Sequence, residues 1–356
     1  MAYAAITKPS LHFNLKLYTG DGNTTRAITG MGFQPDWVWI KKRSGAASHI
    51  TSDVVRGVTK TLYPENQTGE LTNDQYGWVS AFGTDGFTTT NTNANAINGN
   101  SETYVTWNWK AGNSSGSANN DGSITSTVSV NTTAGFSIVS WTGTTNATVG
   151  HGLGVKPAMV ITKSRTDTTN WATWHQGLLG GTEQSRYVNL NTTAADDTYT
   201  NYWGTGGFTS SVFGVRNNAF HNNSNSMIAY CFAEKKGYSK FGRYKGNGST
   251  NGPFIYTGFK PAWIMTKKIS GTADWMIRDK LRLGYNDGWG DLYANTDGAE
   301  GTNDANTKSD ILSNGFKLRM SHSNHNQDGG DYIYMAFAEN PFVANDSGTA
   351  VPVTAK

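Results

Sequence analysis

The string Gly32-Phe-Gln-Pro-Asp-Trp-Val-Trp-Ile-Lys-Lys-Arg43 returns as Gly154-Val-Lys-Pro-Ala-Met-Val-Ile-Thr-Lys-Ser-Arg165 and again as Gly258-Phe-Lys-Pro-Ala-Trp-Ile-Met-Thr-Lys-Lys268. The prolines are 122 and then 104 residues apart. A period of this kind governs everything else, because one supersecondary unit must be repeated and packed against its copies. Three further landmarks keep the same order in each copy. An aromatic residue followed by a turn occurs at Tyr18-Thr-Gly-Asp-Gly22, Trp141-Thr-Gly143 and Tyr244-Lys-Gly-Asn-Gly248. A Gly-Phe step occurs at Asp85-Gly-Phe87, Gly206-Gly-Phe208 and Asn314-Gly-Phe316. An aromatic strand closes each copy at Thr103–Trp109, Met227–Phe232 and Tyr332–Phe337.

These landmarks divide the chain into an arm (1–11), a first repeat (12–112), a linker and hairpin (113–135), a second repeat (136–237), a third repeat (238–343) and a polar tail (344–356). Ala111-Gly-Asn-Ser-Ser-Gly-Ser-Ala-Asn-Asn-Asp-Gly122 reads as a flexible linker and accounts for much of the longer first spacing. After it, the alternation of Ile124, Val128 and Val130, a short turn and Phe136-Ser-Ile-Val-Ser-Trp141 predict a hairpin.

Long helix-period windows are absent, and candidates such as Asp53-Val-Val-Arg-Gly57 stop at glycine within about a turn. Short aromatic and β-branched runs punctuated by Asn-Gly and Asp-Gly predict strands and tight turns. The expected fold class is all-β, with three tandem β-sandwich or small-barrel units, and packing about a pseudo-threefold axis is one arrangement the repeat permits. The composition agrees: 12 Trp, 16 Tyr and 15 Phe with only 15% charged residues is unlike a disordered chain.

A net charge of +3 over 356 residues makes no case for nucleic acid. Cys231 is the sole cysteine, so no internal disulfide or multi-cysteine metal site can form, and its apolar neighbours predict a core thiol. The first residues show no charged and apolar export signal, and no window approaches a membrane-spanning length. A soluble protein made without export, with no membrane insertion, is therefore expected.

No motif singles out a catalytic residue, a metal site or a cofactor. Gly150-His-Gly-Leu-Gly154 lacks the helix that a phosphate loop needs. His322 and His325 sit in a polar stretch and read as solvated loop residues. The Asn295–Asp304 run misses the calcium-loop spacing. Candidate acids Glu65, Glu70, Asp74, Asp291 and Glu300 form no recognisable pair of the kind a glycosidase requires. Neither His175 with Ser185 nor His49 with Ser52 is marked as a nucleophile and base.

Basic residues recur at Lys41-Lys-Arg43, Lys163-Ser-Arg165 and Lys267-Lys268. They read either as a polyanion contact or as a charged strand edge that blocks aggregation. The loops 65–78, 191–203 and 295–310 differ most among copies, which is where recognition is expected. Within and beside them Tyr76, Trp78, Tyr199, Tyr202, Trp203 and Trp289 are the candidate glycan-binding residues, since rings stack on sugar faces while neighbouring Asn, Asp and Thr bond hydroxyls.

Five segments carry a family resemblance: Phe13-Asn-Leu-Lys-Leu-Tyr-Thr-Gly-Asp-Gly22, Gly32-Phe-Gln-Pro-Asp-Trp-Val-Trp-Ile-Lys41, Tyr104-Val-Thr-Trp-Asn-Trp-Lys-Ala-Gly112, Val149-Gly-His-Gly-Leu-Gly154 and Ala338-Glu-Asn-Pro-Phe-Val343. On these the chain resembles tail-fibre-like and other virion structural proteins of marine bacteriophages that infect cyanobacteria and abundant ocean bacteria. The resemblance implies jelly-roll or lectin-like sandwiches, assembly in the host cytoplasm, release by lysis, and no catalytic residues. It further implies partners among other virion proteins, a homo-oligomer, and a host surface polysaccharide or lipopolysaccharide. A capsid decoration or head-fibre brace, using the arm Met1–Ser10 and the tail Asn345–Lys356, is the alternative expectation, and a polysaccharide depolymerase is the second.

Overall fold

The structure is a computed structural model that describes residues 4–352 apart from 94, 145, 217–223, 284–289, 302–307 and 347–348; the side chains of 283 and 343–352 are likewise outside the description. It is all-β, as the repeat predicts, with only short helical turns such as Pro9–Leu11 and Glu183–Ser185.

Each copy builds one large antiparallel sheet with the same internal order. In the first, Phe13–Thr19, Thr103–Trp109, Trp37–Lys42 and Ile50–Asp53 lie side by side in that sequence. In the third, Ser239–Lys245, Asp331–Pro341, Phe259–Lys268, Trp275–Asp279 and Leu292–Tyr293 repeat it. The second sheet runs Phe136–Thr142, Ser226–Phe232, Met159–Ser164, Ala172–His175, Arg186–Asn189 and Asp197–Thr198, and two further strands extend its other edge. Those two are Ser117–Asn119 and Ser126–Asn131. The predicted hairpin is present, but the stretch read as a flexible linker donates a strand to the second sheet. Its start is tethered too, because the Asp36 carboxylate accepts from the backbone N–H of Ala111 at 2.6 Å and of Asn113 at 2.9 Å.

A smaller sheet covers the outer face of each large one. These are Thr25–Thr29, Gly86–Thr90 and Trp78–Gly83 in the first copy, Ala147–Gly150 with Val212–Val215 in the second, and Phe254–Tyr256, Gly315–Leu318 and Ser309–Leu312 in the third. The period-two geometry of a strand then sends alternate residues into two different cores. Along Trp37–Lys42, Val38 and Ile40 enter the sandwich core of their own copy while Trp37 and Trp39 enter a core on the opposite side. Val160 and Ile264 repeat the first role, and Met159, Ile161, Trp263 and Met265 repeat the second. Both faces being covered explains why these strands read as unbroken apolar runs.

The opposite-side core is common to all three sheets. Trp37 stacks on Tyr230 of the second sheet with centroids 4.2 Å apart, Trp109 meets Trp263 of the third edge-on at 5.6 Å, and Phe232 meets Phe337 at 6.1 Å. Offset and edge-on ring pairs of this kind add about 0.5–1.5 kcal/mol each beyond simple burial. The three copies are thus not beads on a string, since the inward face of every large sheet is buried by the other two. Cys231, fully buried, faces the other way into the second sandwich core, as its neighbours predict.

The arm is part of this packing. Ala4, Ile6 and Pro9 are buried, and the Ala5 N–H donates to the Lys236 carbonyl at 2.9 Å. Residues 4–9 are therefore held against the body, whereas the docking role expected for Met1–Ser10 needs a free segment. At the other end Val343–Asp346 pairs with Thr349–Pro352.

Candidate functional site

The recurring lysines are buried, which neither sequence reading anticipates. Trp37–Lys42, Met159–Ser164 and Phe259–Lys268 are each flanked by strands on both sides, so none is a sheet edge. Lys41, Lys163 and Lys267 are fully buried, and burial lowers each amine to about 8. Instead of a carboxylate, each finds backbone carbonyls. Lys41 Nζ donates to Ala47 and Asp297, both at 3.0 Å; Lys163 Nζ donates to Asp167 and Gln67, both at 3.1 Å; Lys267 Nζ donates to Ala273 at 2.8 Å and Thr193 at 3.0 Å.

In every case one acceptor comes from a different copy. The first copy's lysine holds a loop of the third, the second's holds a loop of the first, and the third's holds a loop of the second. The same carbonyls also accept backbone N–H groups, from Ala47 at 2.9 Å, Thr169 at 3.1 Å and Ala273 at 2.9 Å. A second tier keeps the same order: Trp171 Nε1 donates to Tyr63 O and Trp275 Nε1 to Asn189 O, both at 2.9 Å, while His49 Nε2 lies 2.9 Å from Thr296 O. His49 Nδ1 accepts from Trp39 Nε1 at 2.8 Å, so the ring carries its proton on Nε2, and burial lowers its pKa to about 3. These contacts close on themselves, as head-to-tail interfaces do when the rotation returns to its start.

Ion pairs fasten two of the three joints. Glu70 of the first copy accepts two hydrogen bonds at 2.8 Å from Arg165 of the second and lies 3.5 Å from the buried Arg56. Glu300 of the third copy pairs with Arg43 of the first and, at 3.1 Å, with Arg282. Arg56 and Arg282 also hold Asp53 and Asp279, whose carboxylates accept from Tyr230 Oη at 2.8 Å and Trp107 Nε1 at 3.0 Å.

The candidate acids are thereby accounted for as structural groups. Glu70 and Glu300 are in these joints, Asp74 accepts from Tyr63 Oη, and Asp291 pairs with Arg278 at 3.1 Å. Glu65 is raised to about 7, chiefly by burial. Its counterparts Asn191 and Asn295 accept from the backbone N–H of Trp171 at 2.9 Å and Trp275 at 2.7 Å. His175 is buried and bonds the Tyr334 carbonyl at 3.1 Å. His325, read as a solvated loop residue, is 1% exposed, and its ring lines a small void with Arg278, Ser309 and Phe316.

The divergent loops therefore divide in two. Residues 63–70, 189–196 and 293–300 are the clasps just described, and only the stretches C-terminal to them are free to present side chains. There the aromatic candidates separate. Tyr202 and Trp203 are buried: Tyr202 stacks on Tyr187 at 3.8 Å, and Trp203 Nε1 donates to the Arg186 carbonyl at 2.8 Å. Their faces belong to the second sandwich core and are not open to a ligand. Tyr76 is 42% exposed and Trp78 is half-buried in the small sheet of the first copy. Among the described residues no hydrogen bond or ring contact connects either of them with Tyr199. Trp289 lies outside the described residues.

Tyr199 is 53% exposed and borders an open cavity of about 530 Å³ lined by Asn146, Thr198, Thr200, Asn201, Gly204, Thr205 and Arg216. Its direction is set by the turn that buries its neighbours. Asn201 and Gly204 have φ of 52° and 68°, the Tyr202 N–H donates to the Tyr199 carbonyl at 2.9 Å, and a Cβ on Gly204 would stand 2.7 Å from Val215 O. With Tyr202 and Trp203 turned inward, Tyr199 projects outward. The Arg216 guanidinium sits 4.5 Å from the Tyr199 ring centroid and donates to the Thr200 carbonyl at 3.1 Å. No motif marks Arg216 in the sequence, since it lies one residue beyond a strand and has no partner at fixed spacing.

Fold and surface together define an all-β scaffold of three interlocked sandwiches with a polar, aromatic-walled cavity on the second. Residues 8–341 match the family model described as Domain of unknown function (DUF7483), and the chain belongs to that family. No curated protein and no solved structure matches the chain.

Proposed function

We propose that this chain is a structural component of a bacteriophage virion, tail-associated and non-catalytic, that binds a glycan on the host surface. The observation that carries the reading is the cavity beside Tyr199, where an exposed ring is surrounded by hydroxyl and amide side chains. Sugar recognition uses that mixture, an apolar face for the ring and directional bonds for the hydroxyls. The resemblance of the segments around 13–22, 32–41 and 104–112 to marine phage virion proteins supports the setting. Many copies on one particle turn weak sites into firm attachment.

A non-catalytic role is supported by the fate of the acids, since Glu70, Asp74, Asp291 and Glu300 are held in structural pairs. Incubation of the purified chain with host envelope polysaccharide tests both points. Retention without release of oligosaccharides is the expected result; released fragments would make it a depolymerase.

One observation favours a brace between virion proteins. Phe254, Tyr256 and Phe342 are 44%, 58% and 37% exposed in the third copy, and Tyr256 and Phe342 line a cavity of about 350 Å³ with Glu234, Lys236 and Lys240. Apolar groups ringed by charge suit a protein partner. Imaging of virions with the labelled chain separates the readings: label at the tail fits attachment, and label over the whole head fits decoration.

A further inference from the structure

Resting on the glycan reading above, we infer that the cavity beside Tyr199 selects a sugar bearing a carboxylate, with Arg216 as the residue that reads the charge. Arg216 is half-buried, and of the described residues only the Thr200 carbonyl accepts a hydrogen bond from it. That single bond, with the contact to the Tyr199 ring, fixes the plane of the guanidinium and leaves most of its five N–H groups uncommitted. Elsewhere in the molecule Arg43, Arg56, Arg165, Arg278, Arg282 and Arg319 each pair with an acid. Among the described residues no Asp or Glu lines this cavity, so an anion entering it meets a cation and no competing carboxylate.

A planar guanidinium held in place accepts a carboxylate through two parallel hydrogen bonds, which a neutral hydroxyl cannot reproduce. The 53% exposed Tyr199 ring then offers a surface beside the charge, and Asn201, Thr198 and Thr205 supply groups for hydroxyls. A hexuronate residue within a polysaccharide has that combination. The volume of about 530 Å³ accommodates one to two sugar units.

The test uses the full chain and two forms of one probe, a short oligogalacturonate and its carboxyl-reduced product, with binding measured by calorimetry. The expected result is binding of the acid form, about 10- to 100-fold weaker binding of the reduced form, and an equal loss on Arg216→Gln. Arg216→Lys keeps the charge without the fork and falls between. The melting temperature of each variant, unchanged from the parent, shows that the fold is intact. Equal binding of both forms, indifferent to Arg216→Gln, overturns the acid preference and leaves glycan recognition standing. Binding of neither probe, and of no sugar on a broad neutral and acidic glycan array, overturns both.

Discussion

Lys163 Nζ donates to the carbonyl oxygen of Gln67 at 3.1 Å, joining the second copy of the repeat to a loop of the first 96 residues earlier. Two further lysines do the same between the other pairs of copies, and the set closes. The clasps, with the shared aromatic core beneath them, make three similar units into one body.

Replacing Lys163 with Met keeps the length and volume of the stem but leaves the carbonyls of Gln67, Ser164 and Asp167 without their donor. Unpartnered buried acceptors cost about 1–3 kcal/mol, partly offset by removing a desolvated charge. Lys163→Met should lower stability by about 2 kcal/mol at pH 7, measured by denaturant titration. It should also speed hydrogen exchange at the Thr169 amide, which shares the Gln67 carbonyl. Lys245→Met, at a side chain 65% exposed, is the control and should change stability by less than about 0.5 kcal/mol. Equal effects of the two would show the clasp to be incidental.

Glu300→Gln strands Arg282, whose side chain is fully buried, and loosens Arg43. Removing one partner of a buried ion pair costs about 3–5 kcal/mol. The Lys156–Glu183 pair is 48% and 35% exposed, so Glu183→Gln should cost less than about 1 kcal/mol. A Glu300→Gln variant as stable as Glu183→Gln would show that the ion pairs do not hold the joints.

Glu65 supplies a pH test. Its folded pKa is raised to about 7 from an ordinary value of 4.5, so the folded state holds the proton more tightly than the unfolded chain. That contribution is whole below pH 4.5 and is lost as pH rises through 7. Glu65→Gln, which imitates the neutral group as Asn191 and Asn295 do in the other copies, should therefore match the parent at about pH 4.5 and exceed it by about 1–3 kcal/mol at about pH 8. Denaturation across that range would refute the assignment if the two curves stay parallel.

Much of this architecture is legible in the sequence. The repeat, the strands on either side of Pro35, Pro157 and Pro261, the hairpin at 126–142 and the burial of Cys231 all come from local pattern, and local pattern is what a sequence carries. The roles of Lys41, Lys163 and Lys267 do not, because a lysine reads as exposed until the neighbour that covers it is known. One signal is present: all three lie at the same distance after the repeat's proline, while the next residue varies between Lys and Ser. Tyr202 and Trp203 mislead for the converse reason. A polar neighbourhood in sequence suggests the surface, but the turn at Asn201 and Gly204 drives both rings inward and leaves Tyr199 alone outside. Arg216 is invisible in the sequence because its partnership with Tyr199 exists only in space.

The three copies form a single cooperative body held by one core and a closed set of clasps. Differential scanning calorimetry measures this cooperativity through the ratio of calorimetric to van't Hoff enthalpy. One transition with a ratio of about 1 is expected, shifted as a whole to lower temperature by Lys163→Met or Glu300→Gln. Resolved transitions for the separate copies, or a ratio of about 3 with only one component moved by either substitution, would contradict a single body.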